Sequence, residues 1–383
     1  MVPKGWRIRE LQELASIERG RFSPRPRNDP QYYGGIMPFV QTGDIANAKT
    51  YLTKYRQTIN EKGVAVSKVF PANSILLTIA ANIGETAITT FNVACPDSLV
   101  GIKPHIEKSD VFWLKMVLET KQQDLDSKST QNAQKNINLD TLKPLLILTP
   151  PLAEQKKIAQ ILTTWHKAIS TTEKLLKTSQ KQKQALMQQL LTGKKRVPEF
   201  SAEWEKAELG ELLDYKQPTE FIVNSNEYSE LSTQYPVPVL TAGKSFILGY
   251  TKEQIGIYEK NLPAIIFDDF TTASKYVGFP FKVKSSAIKI LTAKSGVSIK
   301  YVYETMQLIK YQIGGHQRHW ISIFSNIIIK LPKFEEQQKI ASILSTADTE
   351  INTLQDKLKC LEKEKKALMQ QLLTGKRRVK VGD

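Results

Sequence analysis

A chain of 383 residues is too long for one ordinary core and suits two domains with connecting elements. Its 41% hydrophobic and 24% charged residues are ordinary for a globular protein, and no run nears the roughly 18 apolar residues of a membrane span. The 54 lysines and arginines outnumber 38 acids to leave +16, which points to a polyanionic partner, nucleic acid first, over a charge serving solubility alone.

Residues 1–149 carry short β-prone runs broken by Gly, Pro, Asn and Asp, such as Ser74–Ile79, and a helical stretch from Asp110 to Gln123. A different texture follows. Ile158, Leu162, Trp165, Ile169, Thr172, Leu176, Ser179, Lys183, Leu186 and Leu190 fall at alternating spacings of four and three, the a/d stripe of a coiled coil. Pro150-Pro151 stands where a helix can begin, and Gly193 where it should stop. Residues 194–331 return to the first texture, with strands predicted at Ala264–Phe267, Ala287–Ile290 and Asn326–Ile329 and a helix at Ser298–Lys310. A second stripe then runs Ile340, Leu344, Ala347, Ile351, Leu354, Leu358, Leu361, Lys365, Leu368 and Leu372, between Pro332 and Gly375.

The two stripes are copies. Leu186–Gly193 returns unchanged as Leu368–Gly375, and 368 less 186 gives an offset of 182 that also pairs Pro150 with Pro332 and Glu154-Gln155 with Glu336-Gln337. Even the charged interruption is duplicated, Lys183 falling opposite Lys365. Each helix spans about 40 residues, or roughly 60 Å. A lone helix with so narrow a seam is unstable in water, so the two are expected to pack on each other as an antiparallel coiled coil. The fold class is therefore α+β: two mixed globular heads on a duplicated helical scaffold, with a pseudo-twofold relation. The heads share only weak landmarks, Trp6 with Leu11 and Leu14 echoing Trp204 with Leu209 and Leu212.

The candidate contacts to DNA lie in polar loops. Arg19, Arg21, Arg25 and Arg27 crowd one Pro-braced loop, and the guanidinium fork suits guanine or phosphate. Lys128, Thr130, Gln131, Gln134 and Lys135 form a segment of donors and amides, matched in the second half by His316, Gln317 and Arg318. Lys244 and Lys275 are further basic candidates. Either kind of loop could equally be a solvated surface. Catalytic signals fail: Ala242–Ser245 resembles a P-loop end, but Pro238 occupies the position of its first glycine. Asp268-Asp269 reads as a cap or turn, and His316 and His319 lack carboxylate or cysteine companions at metal spacing. No metal, cofactor or catalytic residue is expected. Cys95 and Cys360 have no partner motif, and with no signal sequence at Met1–Trp6 they suggest free thiols in a reducing cytoplasm.

The chain resembles, over its whole length, the specificity (S) subunit of type I restriction-modification systems. The resemblance rests on Pro150–Ala159 and its partner Leu331-Pro332 with Glu336–Ala341, and on Ala185–Lys194 and Ala367–Lys376. Gln134-Lys135-Asn136-Ile137 resembles a family element near the end of a recognition domain, from which Gln317-Arg318-His319-Trp320 departs. The resemblance implies target-recognition domains at 1–149 and 194–331 and conserved helical regions at 150–193 and 332–383. Each recognition domain would read half of a split site in double-stranded DNA. The helices would act as a ruler and dock two methyltransferase subunits, which carry the S-adenosylmethionine chemistry, while motor-nuclease subunits add cleavage. Ile161, Leu175, Met187, Leu191, Ile343 and Leu373 flank the seam and are expected to leave apolar surface for those partners. The alternatives are a self-contained nuclease or methyltransferase, the latter lacking an Asn-Pro-Pro-aromatic motif, and a coiled-coil protein scaffold.

Overall fold

The structure, a computed structural model, describes residues 2–80, 82–127, 136–224, 229, 235–243, 245–310 and 319–380. The chain divides into two compact units, Met1–Thr171 with Leu358–Asp383, and Thr172–Lys357. The long helices are Leu152–Leu190 and Phe334–Leu372, equal in length and offset by the repeat. Each stops at a glycine with φ of +72° or +70°, where the chain turns back and the amides of Lys195 and Arg377 donate to the carbonyls of Gln189 and Gln371. Each helix starts in one unit and ends in the other.

In the first unit a five-stranded sheet runs in the order Ala15–Arg19, Leu99–Pro104, Ile75–Thr78, Thr86–Thr89, Tyr51–Leu52. A smaller sheet orders Gln57–Ile59, Tyr33–Phe39, Val93–Cys95, Lys68–Phe70. Alternation along the strands explains how the two sheets stack. Ile75, Leu77, Val100 and Ile102 face a core shared with the helices, while Leu76 and Leu99 face a second core with Phe70, Val93 and Cys95 of the smaller sheet. A strand buried on both faces reads as a continuous apolar run. Burial also pushes the Cys95 thiol up, away from reactivity.

The second unit repeats this plan. Its larger sheet orders Leu213–Lys216, Ile288–Ala293, Ala264–Asp268, Ser274–Val277, and its smaller one Ile247–Thr251, Val237–Leu240, Lys282–Val283. In both units the central strand of the smaller sheet has one antiparallel and one parallel neighbour. Ile265, Phe267 and Leu291 face the helices, while Ile266, Ile288 and Ile290 face the other way. The predicted helices form at Val111–Thr120, capped by the Asp110 carboxylate on the Trp113 amide, and at Ile299–Met306, capped by Ser298. The strand expected at Asn326–Ile329 instead begins at Ile328 and pairs in a two-stranded ribbon with Glu205–Glu208. The buried ring of Phe324, 4.9 Å from that of Phe267, holds Phe324–Asn326 in a 3₁₀ turn.

Each head grips a helix start in the same way. Glu154, 2% exposed, accepts the Trp6 indole N–H at 3.0 Å and two bonds from Arg378 at 2.7 and 2.8 Å. Glu336, 1% exposed, accepts the Trp204 indole at 3.0 Å and two bonds from Arg196 at 2.8 Å. A buried carboxylate is tolerable only when its lone pairs are filled in this manner. Next in sequence, Gln155 and Gln337 bond the carbonyls of Pro150 and Pro332 and accept the amides of Asp110 and Ser298, tying the helix caps to the scaffold.

The seam explains one of its two lysines directly. In the second unit Ser179 donates to Glu350 at 2.9 Å and Lys183 meets Asp348 at 2.6 Å, the decreasing partner number showing helices that run in opposite directions. Lys183 and Lys300 share the carboxylates of Asp348 and the fully buried Glu304. Burial alone would raise the Asp348 carboxyl, but the two ammonium groups outweigh it and hold it below the usual carboxylate range. In the first unit His166 takes the repeat position of Asp348, so Lys365 has no carboxylate within ion-pair distance among the described residues, and burial lowers its ammonium.

Candidate nucleic-acid interface

The arginine loop is built against the smaller sheet of the first head. Phe22 is buried among the rings of Tyr32, Tyr33 and Phe39, which anchors the loop. Gly20 is required beside it, since a Cβ would sit 2.2 Å from the Pro96 carbonyl oxygen. Three of the four arginines serve the loop itself. Arg19 donates to the Asp97 carbonyl at 2.6 Å, Arg27 clamps the Asp97 carboxylate at 2.8 and 3.0 Å, and Arg25 donates to the carbonyls of Phe22, Ser23 and Pro24. Arg21 differs. Its backbone is held by Cys95 and Lys68, while its exposed side chain has no hydrogen bond among the described residues.

Beside this loop the smaller sheet opens into a cleft of about 580 Å³, lined by Arg27, Asn28, Tyr33, Gln41, Gln57 and Ser98 among others. The Gln41 amide donates to the Gln57 side-chain oxygen at 2.7 Å. Sequence reasoning missed both glutamines, since nothing in their local patterns distinguishes them from other loop and strand residues. The corresponding small sheet of the second head carries a cleft of about 450 Å³ with a different lining, including Pro236, Pro238, Ile247, Tyr250 and Phe279.

Among the other sequence candidates, Lys275 lies half-buried on the edge strand Ser274–Val277. Lys128, Thr130, Gln131, Gln134, Lys135, Lys244, His316, Gln317 and Arg318 lie outside the described residues. The residues that follow the two polar segments take equivalent places. The Ile137 amide donates to the Ile79 carbonyl, just past the strand Ile75–Thr78, and the His319 amide to that of Asp269, just past Ala264–Asp268. The acidic pair is committed to local structure: Asp268 caps the amides of Phe270 and Thr271, and Asp269 that of Trp320.

The expected apolar surface beside the seam is mostly absent. Met187 and Leu191, 8% and 3% exposed, belong to the core of the second head, and Leu373, at 7%, to that of the first. Ile161 and Ile343 pack against those same cores. The physical reason is that the heads wrap the helix ends and use the flanking positions as their own core. Leu175, 52% exposed, does remain open. No described helix is long and apolar enough to cross a membrane.

A sequence model of the type I restriction modification DNA specificity domain matches residues 3–178 and 201–363. The chain belongs to that specificity family. Within it, the chain is 44% identical over 161 residues to the EcoR124I/EcoR124II specificity subunit of Escherichia coli, a stretch covering 41% of this chain and 38% of that subunit. Over 99% of its length it is 26% identical to the putative MjaX specificity subunit of Methanocaldococcus jannaschii, of which 95% is covered. The solved S subunit of a type I system from M. genitalium shares the fold, with a TM-score of 0.70 at 15% identity over 97% of this chain and 96% of that one.

Proposed function

We propose that this chain is the non-catalytic DNA-specificity subunit of a type I restriction-modification complex. Residues 1–149 and 194–331 each read half of a bipartite duplex site, and the helical regions 150–193 and 332–383 set the gap between the halves. The observation that carries this reading is one head topology used twice on a duplicated helical scaffold, with clefts of different chemistry on the corresponding sheets. Such an arrangement suits two related acts of recognition on two different sequences. The net charge of +16 supplies the phosphate attraction that both need.

The test is selection by the purified chain from random-sequence duplex DNA. The expected result is a motif of two specific halves around a fixed spacer, with affinity falling steeply as salt rises. Among the loop arginines, Arg21 is the one free to reach DNA. Arg21→Ala is expected to relax one position by about 1–3 kcal/mol if it meets a base, or to lower the salt slope by about one if it meets phosphate. A single undivided motif, or binding indifferent to salt, would sink the proposal.

Two methyltransferase subunits are proposed to dock on the helix pair, with motor-nuclease subunits joining them. Leu175 offers an exposed apolar side chain beside the seam residue Leu176, with Lys174 and Lys177 exposed on either side. Leu175→Glu is expected to release a methyltransferase subunit on co-purification while both heads stay folded. Recovery of the intact complex would reject this face.

A further inference from the structure

The cleft in the first head contains an amide pair whose geometry is set before any ligand arrives. Asp44, 8% exposed, accepts the Gln41 backbone amide at 3.0 Å on its carboxylate, and its own amide donates to the Gln41 backbone carbonyl at 3.0 Å. Gln41 is thereby fixed at the start of the helix Thr42–Asn47, and its side-chain nitrogen donates to the Gln57 oxygen. That bond assigns the two ends of the Gln57 amide. The oxygen keeps one lone pair, and the nitrogen keeps both hydrogens, with no partner among the described residues. Gln57 is exposed, on the strand Gln57–Ile59 at the rim of the cleft.

An acceptor beside a donor in one plane matches the major-groove edge of adenine, which offers N6–H to the oxygen and N7 to the nitrogen. An amide free to flip would lose part of its selectivity; one held by a neighbour is preorganised. Arg27, whose guanidinium is paired with the Asp97 carboxylate, braces the wall of the same cleft. The smaller sheet lies on the face of the larger sheet opposite the helical core, so the cleft is not closed by the scaffold of its own unit. Resting on the proposed function, we infer that Gln57, positioned by Gln41, is a specificity-determining residue that reads an adenine in the half-site of the first head.

Selection from random-sequence duplex DNA separates the possibilities. With the unaltered full chain, a bipartite motif containing an A·T pair in one half is expected. Gln57→Ala should lower the preference for that pair by roughly 5- to 150-fold and leave every other position as it was. Gln57→Glu, which can only accept, should shift the preference toward cytosine, whose N4 donates. Gln41→Ala should broaden the same position to a lesser degree, which a purely structural role would not do. If the unaltered chain retrieves no bipartite motif, the proposed function itself falls. If it does, and the Gln57 variants return the same motif or weaken all positions equally, this assignment alone is overturned.

Discussion

Leu372→Ala is expected to lower the stability of the N-terminal head by about 2–5 kcal/mol, although more than 200 residues separate it from the nearest strand of that head. Leu372 is 1% exposed and shares a core with Trp6, Leu77, Trp113 and Ile158. Leu190, its copy, is 5% exposed and belongs to the core of the second head, with Leu209, Phe267 and Leu344. The two substitutions should therefore act on opposite heads: Leu372→Ala on the first, Leu190→Ala on the second. Amide hydrogen exchange measures this directly. Protection should fall in Ile75–Thr78 for the first variant and in Ala264–Asp268 for the second. Loss in both heads equally, or in the wrong one, would contradict the assignment of the helix ends.

Adding one heptad to both long helices, after Thr172 and after Leu354, is expected to lengthen the unspecific spacer of the DNA motif by about three base pairs. Seven residues add about 10 Å at 1.5 Å each, and successive base pairs lie about 3.4 Å apart. Heptads rather than other insertions are needed because the a/d stripe must stay in register. Thr172 is buried and Leu354 half-buried, so both insertion points lie on that stripe. Three base pairs also turn one half-site by more than a quarter of the duplex circumference, so affinity should fall even as the motif lengthens. Selection of a motif with the original spacer would show that the helices do not set the gap.

The scaffold was legible because helical order is local. A repeat of four and three needs only its own residues, and every position of both predicted stripes is buried or half-buried. The caps at Asp110 and Ser298 were legible for the same reason. The shared topology of the heads was not, since it rests on pairing between distant strands such as Ala15–Arg19 with Leu99–Pro104. Likewise, the fate of Arg19 and Arg27 depends on Asp97, 78 and 70 residues away. Met187, Leu191 and Leu373 looked like spare apolar surface because the stripe shows what a helix offers its partner helix, not what a head folds over it. In the candidate site the loop arginines were conspicuous by density, whereas Gln41 and Gln57 gain meaning only through the bond between them.

The way the chain closes on itself sets an order of events during synthesis. The unit Thr172–Lys357 is continuous and has its full complement of residues once Lys357 has left the ribosome. The head 1–149, made before that unit, lacks Leu372, Leu373 and Arg378 until the second long helix has also been made. At about 5–20 residues per second its core waits many seconds for its last members, open to chaperones and to proteases. Nascent chains stalled with Lys357 just outside the ribosome should show the later-made head resisting proteolysis and the earlier-made one still susceptible. The reverse pattern would show that the N-terminal head matures without its final helix.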